Sequence, residues 1–262
     1  MTKQTGLQRI QNAFQHKAFI PFVTCGDPDL ATTKAIIHTL AKNGADIIEL
    51  GIPFSDPTAE GPVIQAANLR ALKNQVTTDD IFELVAQLRQ ELTVPLVIMT
   101  YANVVFSYGT ERFIQKAQAV GIDGLILPDV PYEEKEEFQQ VCQQYQLAFI
   151  SLIAPTSKER IEKIAKEANG FLYCVSSLGV TGVRSQINTD LASMIDAVRK
   201  VNPTLPVAIG FGIATSEQAK KMSQLADGVI IGSAIVQQIA KYQQQAPQVL
   251  AQYAKEICQA IR

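Results

Sequence analysis

The feature that most constrains the fold is a series of eight short apolar segments, most of them followed by a stretch with helical periodicity. The segments cover residues 18–24, 46–50, 95–100, 123–128, 147–153, 170–176, 206–211 and 227–232. Their apolar character is nearly continuous rather than alternating, which is typical of parallel strands buried on both faces. Eight strand–helix repeats favour a closed parallel barrel over an open doubly wound sheet. We therefore predict an α/β fold, a single (β/α)8 TIM barrel.

The length of the chain and its two ends fit this prediction. The 262 residues suit one barrel, which typically needs about 250 residues. No linker or low-complexity tract divides the sequence, so we expect residues 1–262 to form a single domain. We expect residues 1–15 to form an extra helix that covers the barrel bottom. Residues 233–262 are predicted to supply the eighth helix and one further helical element.

Composition excludes several classes of function. The net charge of −2 gives no reason to expect nucleic acid or an anionic membrane as a partner. The chain contains no apolar run long enough to span a membrane, and its polar N-terminus has no apolar signal core. We therefore expect a cytoplasmic protein. The four cysteines are scattered without a C-x-x-C pair, as expected of reduced thiols.

The chain has only two histidines, His16 and His38, and both precede predicted strands. This nearly excludes a histidine-ligated metal and a Ser-His-Asp triad, so we predict no metal site. None of the 15 lysines falls in a predicted strand or immediately beyond one. Because a Schiff-base aldolase needs a lysine near the barrel mouth, any carbon–carbon cleavage here should use acid–base catalysis by carboxylates.

Glycine-bearing turns follow the last three predicted strands, at residues 179–182, 210–213 and 232–234. Glycine lets backbone N–H groups approach an anion, and the last two turns lead into helices whose N-termini favour negative charge. Ser233 adds a hydroxyl donor, and Gly182 is a third candidate donor. A lone glycine turn is usually only a turn, but paired turns on adjacent strand ends of a barrel predict a phosphate site.

Acidic residues lie at the end of the second predicted strand and in the connection that follows it. Glu49 ends that strand in an apolar setting, where its carboxyl must be paired or neutralised, and low polarity would raise its pKa. Its position favours a role in proton transfer, although a carboxylate that braces a neighbouring loop would also fit. Asp56 and Glu60 lie in the long connection 51–65, where turn formation or helix capping are alternatives to catalysis. Asp129, after the fourth strand, has the same ambiguity.

Seven motifs together resemble the tryptophan synthase α chain family, and the similarity runs from about residue 6 to residue 242. The stretch from Glu49 to Pro57 is the most specific of them. The motifs are FIPFVT (19–24), ELGIPFSDP (49–57), GP (61–62), YAN (101–103), GVTG (179–182), GFGI (210–213) and GSAIV (232–236).

The resemblance implies cleavage of indole-3-glycerol phosphate to indole and glyceraldehyde 3-phosphate. It assigns general acid–base catalysis to Glu49 and binding of the indole N–H to the second carboxylate, which is Glu60 here where the family usually has aspartate. It places the substrate and its phosphate against Tyr173, Thr181, Gly182, Phe211, Gly212, Gly232 and Ser233. It places the indole against Phe22, Ile98 and Tyr101.

The resemblance also implies a partner, the tryptophan synthase β chain, in an α2β2 assembly. That β chain would hold pyridoxal phosphate, and this chain would hold no cofactor. The contact face would include Asp56 and Pro57, together with residues 101–105 and 128–131.

Three alternatives remain at this stage. Another phosphate-binding barrel, such as an isomerase or epimerase, would share the phosphate site but not the proline-rich connection 51–65. A non-catalytic activator of a β chain would be expected to lack both carboxylates. A lyase that acts alone and releases free indole differs only in loop closure.

Overall fold

The computed structural model describes residues 4–157, 159–175, 184–210 and 212–262, with the side chains of 184–190 excepted. Within these ranges nine parallel strands form one sheet with the order β5-β4-β3-β2-β1-β9-β8-β7-β6. The strands are β1 (Ala18–Thr24), β2 (Ile48–Gly51), β3 (Leu96–Met99), β4 (Gly124–Ile126), β5 (Ala148–Phe149), β6 (Ser151–Ile153), β7 (Leu172–Val175), β8 (Val207–Gly210) and β9 (Gly228–Ile231).

The two ends of this strand order are halves of one segment. β5 and β6 flank Ile150, whose N–H donates to the Leu125 carbonyl, and together they correspond to the predicted fifth strand. Because β5 pairs with β4 and β6 pairs with β7, the chain itself closes the ring at Ile150. The predicted (β/α)8 barrel is confirmed.

Twelve α-helices surround the strands or cover the ends of the barrel within the described residues. They are α1 (Gly6–Asn12), α2 (Leu30–Lys42), α3 (Pro62–Lys73), α4 (Thr78–Leu88), α5 (Ala102–Tyr108), α6 (Thr110–Val120), α7 (Glu136–Gln144), α8 (Ile161–Glu167), α9 (Arg184–Val201), α10 (Ser216–Ser223), α11 (Ser233–Tyr242) and α12 (Ala246–Ile261). Short 3₁₀ turns occupy Tyr132–Glu134, Pro155–Ser157 and Gln243–Gln245. None of the described helices is long and apolar enough to cross a membrane.

The predicted extra helices are present. α1 covers the bottom of the barrel, where Ile10 is fully buried among interior residues such as Ile20 and Ile47. Arg9 of α1 also donates to the buried Asp123 carboxylate at the start of β4, with 2.8 Å between Nε and Oδ1. The tail forms α11 and α12 as predicted.

Two helices differ from the prediction for the connections. The predicted long connection 51–65 ends early, because α3 begins at Pro62, whose fixed φ suits the first turn of a helix. α5 is a short helix that the strand–helix repeat did not indicate. Both follow strand ends, and both position side chains at the mouth of the barrel.

Alternation along each strand decides which side chains enter the barrel. Ile20, Val97 and Ile230 point into the interior cluster, whereas Ile48 and Ile98 belong to the larger cluster between the sheet and the helices. Since successive residues of a strand face opposite sides, this assignment fixes which residues can reach a ligand at the mouth.

Candidate active site

A cavity of about 740 Å³ lies at the carboxyl ends of the strands, the face on which barrel enzymes build their active sites. Predicted site residues from separate strands and loops line its wall together. They are Phe22, Glu49, Glu60, Tyr173, Gly212, Gly232 and Ser233. A cavity of this size can hold a small organic substrate.

Glu49 is the buried acid of this cavity. It lies on β2, beside Phe22 of β1 and Val97 of β3, and only 1% of its surface is exposed. Neither carboxyl oxygen has a hydrogen-bond partner within the part of the chain that the structure describes. Burial, followed by the negative charge of Glu60, raises the pKa of Glu49 to about 8. The group is therefore mostly protonated at neutral pH and can act as an acid.

Two glycines make room for the aromatic side chains near Glu49. A Cβ atom on Gly51 would lie 2.5 Å from the Phe22 ring, and one on Gly210 would lie 2.4 Å from the Tyr173 hydroxyl oxygen. Burial, followed by the charge of Glu49, raises the pKa of Tyr173 well above its ordinary value. The Tyr173 hydroxyl therefore stays neutral, and it lies close enough to Glu49 for a charge on Glu49 to raise its pKa.

Glu60 is held by the first turns of α3. Asn68 Nδ2 donates to Glu60 Oε2 at 2.6 Å, and Gln65 Nε2 donates to the Glu60 carbonyl oxygen at 2.8 Å. Gly61 is the N-cap of α3, so Glu60 does not cap this helix. Burial raises the pKa of Glu60, and hydrogen bonds from Asn68 and Tyr101 oppose that rise.

Tyr101 supports the loop that carries Glu60. Its hydroxyl oxygen accepts the Ala59 N–H at 3.2 Å and lies close enough to the Glu60 carboxylate to lower the pKa of that group, while its ring stacks on Phe54 at 5.1 Å. Tyr101 is 1% exposed and is absent from the described residues that line the cavity. Tyr101 therefore does not line the cavity as the predicted indole pocket requires, and its hydroxyl instead supports the loop at Ala59.

Ile98 also differs from its predicted place. It points out of the barrel into the cluster between the sheet and the helices, and the cavity wall carries its neighbour Met99 instead. The reason is the alternation of β3, because Val97 and Met99 face inward and Ile98 therefore faces outward. The apolar pocket that the sequence predicts at this strand is formed by Met99.

Three of the predicted phosphate donors, Gly212, Gly232 and Ser233, lie in the cavity wall. Gly232 is the N-cap of α11 and Ser233 is its first residue, so free N–H groups of the helix start there. Gly212 has φ +78°, a left-handed conformation that favours glycine, and the space beside its Cα is open. Thr181, Gly182 and Phe211 lie outside the described residues.

Sequence reasoning missed two basic residues in the cavity wall, Lys135 and Arg160. The expectation that no lysine lies near the barrel mouth is wrong for Lys135, which a long connection after β4 carries back to the cavity. Its ammonium is paired with Glu167 at 2.7 Å and lies 4.4 Å from the centre of the Tyr132 ring. Arg160 is paired with Glu133 at 3.1 Å. The sequence around a lysine that flanks a helix does not indicate whether its side chain reaches the cavity.

The remaining carboxylates of the mouth have different roles. Asp129 accepts the Ala102 N–H with both oxygens at 3.1 Å and so satisfies the start of α5. Asp56 is exposed, and its carboxylate accepts the Ser55 hydroxyl. Pro57 is half-buried beside it. In the described ranges no group of three or more His, Cys, Asp and Glu side chains is arranged to hold a metal ion.

Comparison with known proteins relates the chain as a whole to one family. The family model described as "Tryptophan synthase alpha chain" matches residues 9–262. The chain is 48% identical to the tryptophan synthase alpha chain of Lacticaseibacillus casei, over 97% of this chain and 96% of that protein. It is 50% identical to that of Lactiplantibacillus plantarum, over 94% of this chain and 93% of the relative.

Solved structures agree with the sequence comparison. The crystal structure of tryptophan synthase subunit alpha from Legionella pneumophila superposes with a TM-score of 0.87 at 38% identity, covering 97% of this chain and 98% of that one. A tryptophan synthase structure from M. tuberculosis in an aminoacrylate-bound form superposes with a TM-score of 0.86 at 30% identity, covering 97% and 99%.

Proposed function

The chain belongs to the tryptophan synthase alpha chain family, a family of lyases. We propose on this basis that it cleaves indole-3-glycerol phosphate into indole and glyceraldehyde 3-phosphate. The observation that carries the proposal is the position of Glu49. Its buried carboxyl lies in a cavity whose wall also contains Gly212, Gly232 and Ser233, the residues proposed to bind the phosphate.

The cavity has a different chemical character in different parts of its wall. Gly232 and Ser233 offer N–H groups at the start of α11, which suits the phosphate group of the substrate. Phe22 and Met99 offer apolar surface for the indole ring. Such an arrangement would place the carbon–carbon bond between ring and glycerol chain near Glu49.

Glu49 can serve both proton transfers of the cleavage. As a neutral acid it donates a proton to indole C3, which leaves a cationic ring whose nitrogen can accept electrons. The resulting carboxylate then removes the proton of the hydroxyl on the adjacent glycerol carbon. That carbon becomes the aldehyde, the bond to C3 breaks, and its electron pair restores the indole. The pKa of about 8 suits a group that must both give and take a proton near neutral pH.

Glu60 would stabilise the positive charge that develops on the ring. Its carboxylate lines the same cavity and accepts a hydrogen bond from Asn68. A carboxylate that accepts the indole N–H interacts most strongly when the ring is cationic, so the contact favours the transition state over the ground state.

The second part of the proposal concerns a partner. We propose a tryptophan synthase β chain that holds pyridoxal phosphate, in an α2β2 assembly, while this chain holds no cofactor. Large apolar side chains are exposed on the helices that follow β2 and β3, with Leu69 57% and Phe106 45% exposed. Together with Asp56 and Pro57 they form a candidate contact face, whose burial would remove apolar surface from water.

We also propose that the chain acts in the cytoplasm. All four cysteines are free and buried, which supports a reducing compartment.

Replacement of the acid tests the assignment. Glu49→Gln keeps shape and hydrogen-bonding capacity but cannot shuttle a proton, so we expect kcat to fall by at least about 10²-fold. Glycerol phosphate should still raise the melting temperature of the variant, because the anion-binding end is intact. Near-normal kcat in a correctly folded variant would disprove the catalytic role of Glu49.

A further inference from the structure

Asn68 is a buried amide in the middle of α3, where it neither caps the helix nor favours its formation. It is 3% exposed, and asparagine is an unfavourable residue in a helix interior. Its Nδ2 nitrogen lies 2.6 Å from Glu60 Oε2, which joins the interior of the helix to the residue just before its N-cap. A buried amide left without a partner would destabilise the fold, so this contact matters to both residues.

α3 is firmly fixed to the barrel on the side that carries Asn68. Its buried residues Ala67 and Ala71 pack inward, and Arg70 makes a two-point ion pair with Asp27 of the loop after β1, with both N–O distances 2.8 Å. Asn74 also donates to the Pro28 carbonyl. The Asn68 amide is therefore presented from a rigid support.

The Glu60 carboxylate is approached from two sides. Asn68 holds Oε2 from α3, and the Tyr101 hydroxyl, at the start of α5, lies near enough to the carboxylate to lower its pKa. Gln65 fixes the Glu60 backbone through its carbonyl oxygen. A carboxylate oxygen accepts more than one hydrogen bond, so these contacts leave lone pairs that can face the cavity.

We propose that Asn68 is a positioning residue, which holds one oxygen of Glu60 so that the carboxylate presents a free lone pair to the indole N–H. The inference rests on the proposed role of Glu60 in the cleavage. It adds a residue that does not line the cavity and acts only through Glu60. A catalytic group must be held close to its productive geometry, and a misplacement near 1 Å can cost about 10²-fold in rate.

The Asn68 amide also bears on the charge of Glu60. Its hydrogen bond favours the ionised carboxylate, whereas burial favours the neutral acid. The other ionisable groups that face Glu60 are Glu49 of β2 and Tyr101, and Asp129 acts on Tyr101 in turn. If the amide is replaced by a second carboxylate, the pKa of Glu60 rises, and more of the enzyme carries Glu60 in its neutral form at a given pH.

The test is a double-mutant cycle on cleavage of indole-3-glycerol phosphate, with Asn68→Ala, Glu60→Ala and the double variant. We expect Asn68→Ala to lower kcat by about 10-fold to 10²-fold with a smaller change in KM, since the contact aligns a group that acts in the transition state. In the Glu60→Ala background the same substitution should change kcat less than about 2-fold, because the residue it positions is gone.

Asn68→Asp provides a second readout in a side chain of the same shape. It should move the acidic limb of the pH–kcat profile to higher pH, a shift that a loss of stability alone would not produce. Asn74→Ala, at the C-cap of the same helix, is the matched control, since the Asn74 side chain donates to the backbone carbonyls of Gly26 and Pro28 and not to Glu60. The pH–kcat profile of this variant should match that of the unmodified chain.

The outcomes separate this inference from the proposed function. If Asn68→Ala lowers kcat equally with and without Glu60, or if Asn68→Asp leaves the acidic limb in place, the positioning role is wrong while the role of Glu60 stands. If Glu60→Ala alone leaves kcat unchanged, the role of Glu60 in the proposed function is wrong, and the positioning role fails with it.

Discussion

At the scale of single residues, Glu49 shows how burial sets a protonation state. The sequence places a glutamate at the end of an apolar strand, and that alone predicts a raised pKa. The structure adds that both carboxyl oxygens lack partners among the described residues and that the charge of Glu60 acts in the same direction. Strand periodicity does not place the Glu60 loop near Glu49; only the family resemblance, which assigns both carboxylates to the indole, implied that they lie close together.

The raised pKa predicts how stability changes with pH. Glu49 has a pKa of about 8 in the folded chain against an ordinary value of 4.5, so folding favours the protonated form. The unfolded chain loses that proton above pH 4.5, and stability then falls as pH rises until the folded pKa is passed. Glu49→Gln lacks this penalty. We expect its melting temperature to exceed that of the unmodified chain by a margin that grows between pH 5 and 8.

Thermal unfolding of both proteins across this range, at constant ionic strength, measures the margin. A difference in melting temperature that is independent of pH would show that the carboxyl of Glu49 titrates normally in the folded chain.

The same scale shows where sequence reasoning ends. Ile98 is apolar and lies near a strand end, as a pocket residue should. In a run of four apolar residues, however, the sequence does not show which side chains point into the barrel and which point toward the helices. One step of register exchanges Ile98 for Met99. Lys135 returns to the cavity through tertiary packing of a connection, which local pattern does not encode.

At the scale of elements, the strand ends were predictable and some of the helices were not. Continuous apolar runs identified the strands, and glycine turns indicated the residues that we propose bind the phosphate. α3 was concealed because its first residues belong to a proline-rich motif that suggests a loop. Since α3 carries Asn68, the hydrogen bond from Asn68 to Glu60 could not be predicted either.

The start of α11 yields a prediction about binding without a change in fold. A Cβ atom on Gly232 would meet Phe22 at an ordinary 3.5 Å, and this glycine does not have a positive φ. Gly232→Ala should therefore leave the melting temperature nearly unchanged. The added methyl group occupies space beside the free N–H groups of the helix, so the stabilisation by glycerol phosphate should shrink markedly.

Gly51→Ala is the contrasting control for Gly232→Ala. Its Cβ atom would lie 2.5 Å from the Phe22 ring, so it should lower the melting temperature without ligand. If Gly232→Ala binds glycerol phosphate as well as the unmodified chain, the anion does not bind at the start of α11.

At the scale of the whole molecule, the cavity is assembled from residues far apart in sequence. Phe22 near one end of the chain and Ser233 near the other line the same space, because the ring of strands brings β1 beside β9. The (β/α)8 prediction already implies this meeting, which is why the barrel mouth could be predicted from sequence while the contacts around Glu60 could not. We propose that residues 1–262 unfold as one domain for the same reason.

The proposed partner face gives a prediction with an internal control. Phe106→Ser removes an apolar side chain that is 45% exposed on α5, so it should weaken co-elution with a tryptophan synthase β chain in size-exclusion chromatography. The indole released by the isolated chain should not change, because Phe106 does not line the cavity.

Val201→Ser is the control for Phe106→Ser. Val201 is 36% exposed at the end of α9, near the opposite end of the barrel, and its replacement should not affect co-elution. Failure of the unmodified chain to co-elute with a β chain at micromolar concentration would contradict the proposed partner. Equal weakening by both substitutions would show that this face is not the contact.

The most direct test of the central claim is the stoichiometry of products from indole-3-glycerol phosphate. The purified chain would be supplied with the substrate, with and without a β chain and with no free serine added to the reaction. Indole and glyceraldehyde 3-phosphate would be measured together. We predict that the two products form in equal amounts. Consumption of the substrate without indole, or release of neither product under both conditions, would contradict the assignment of this cavity to carbon–carbon cleavage.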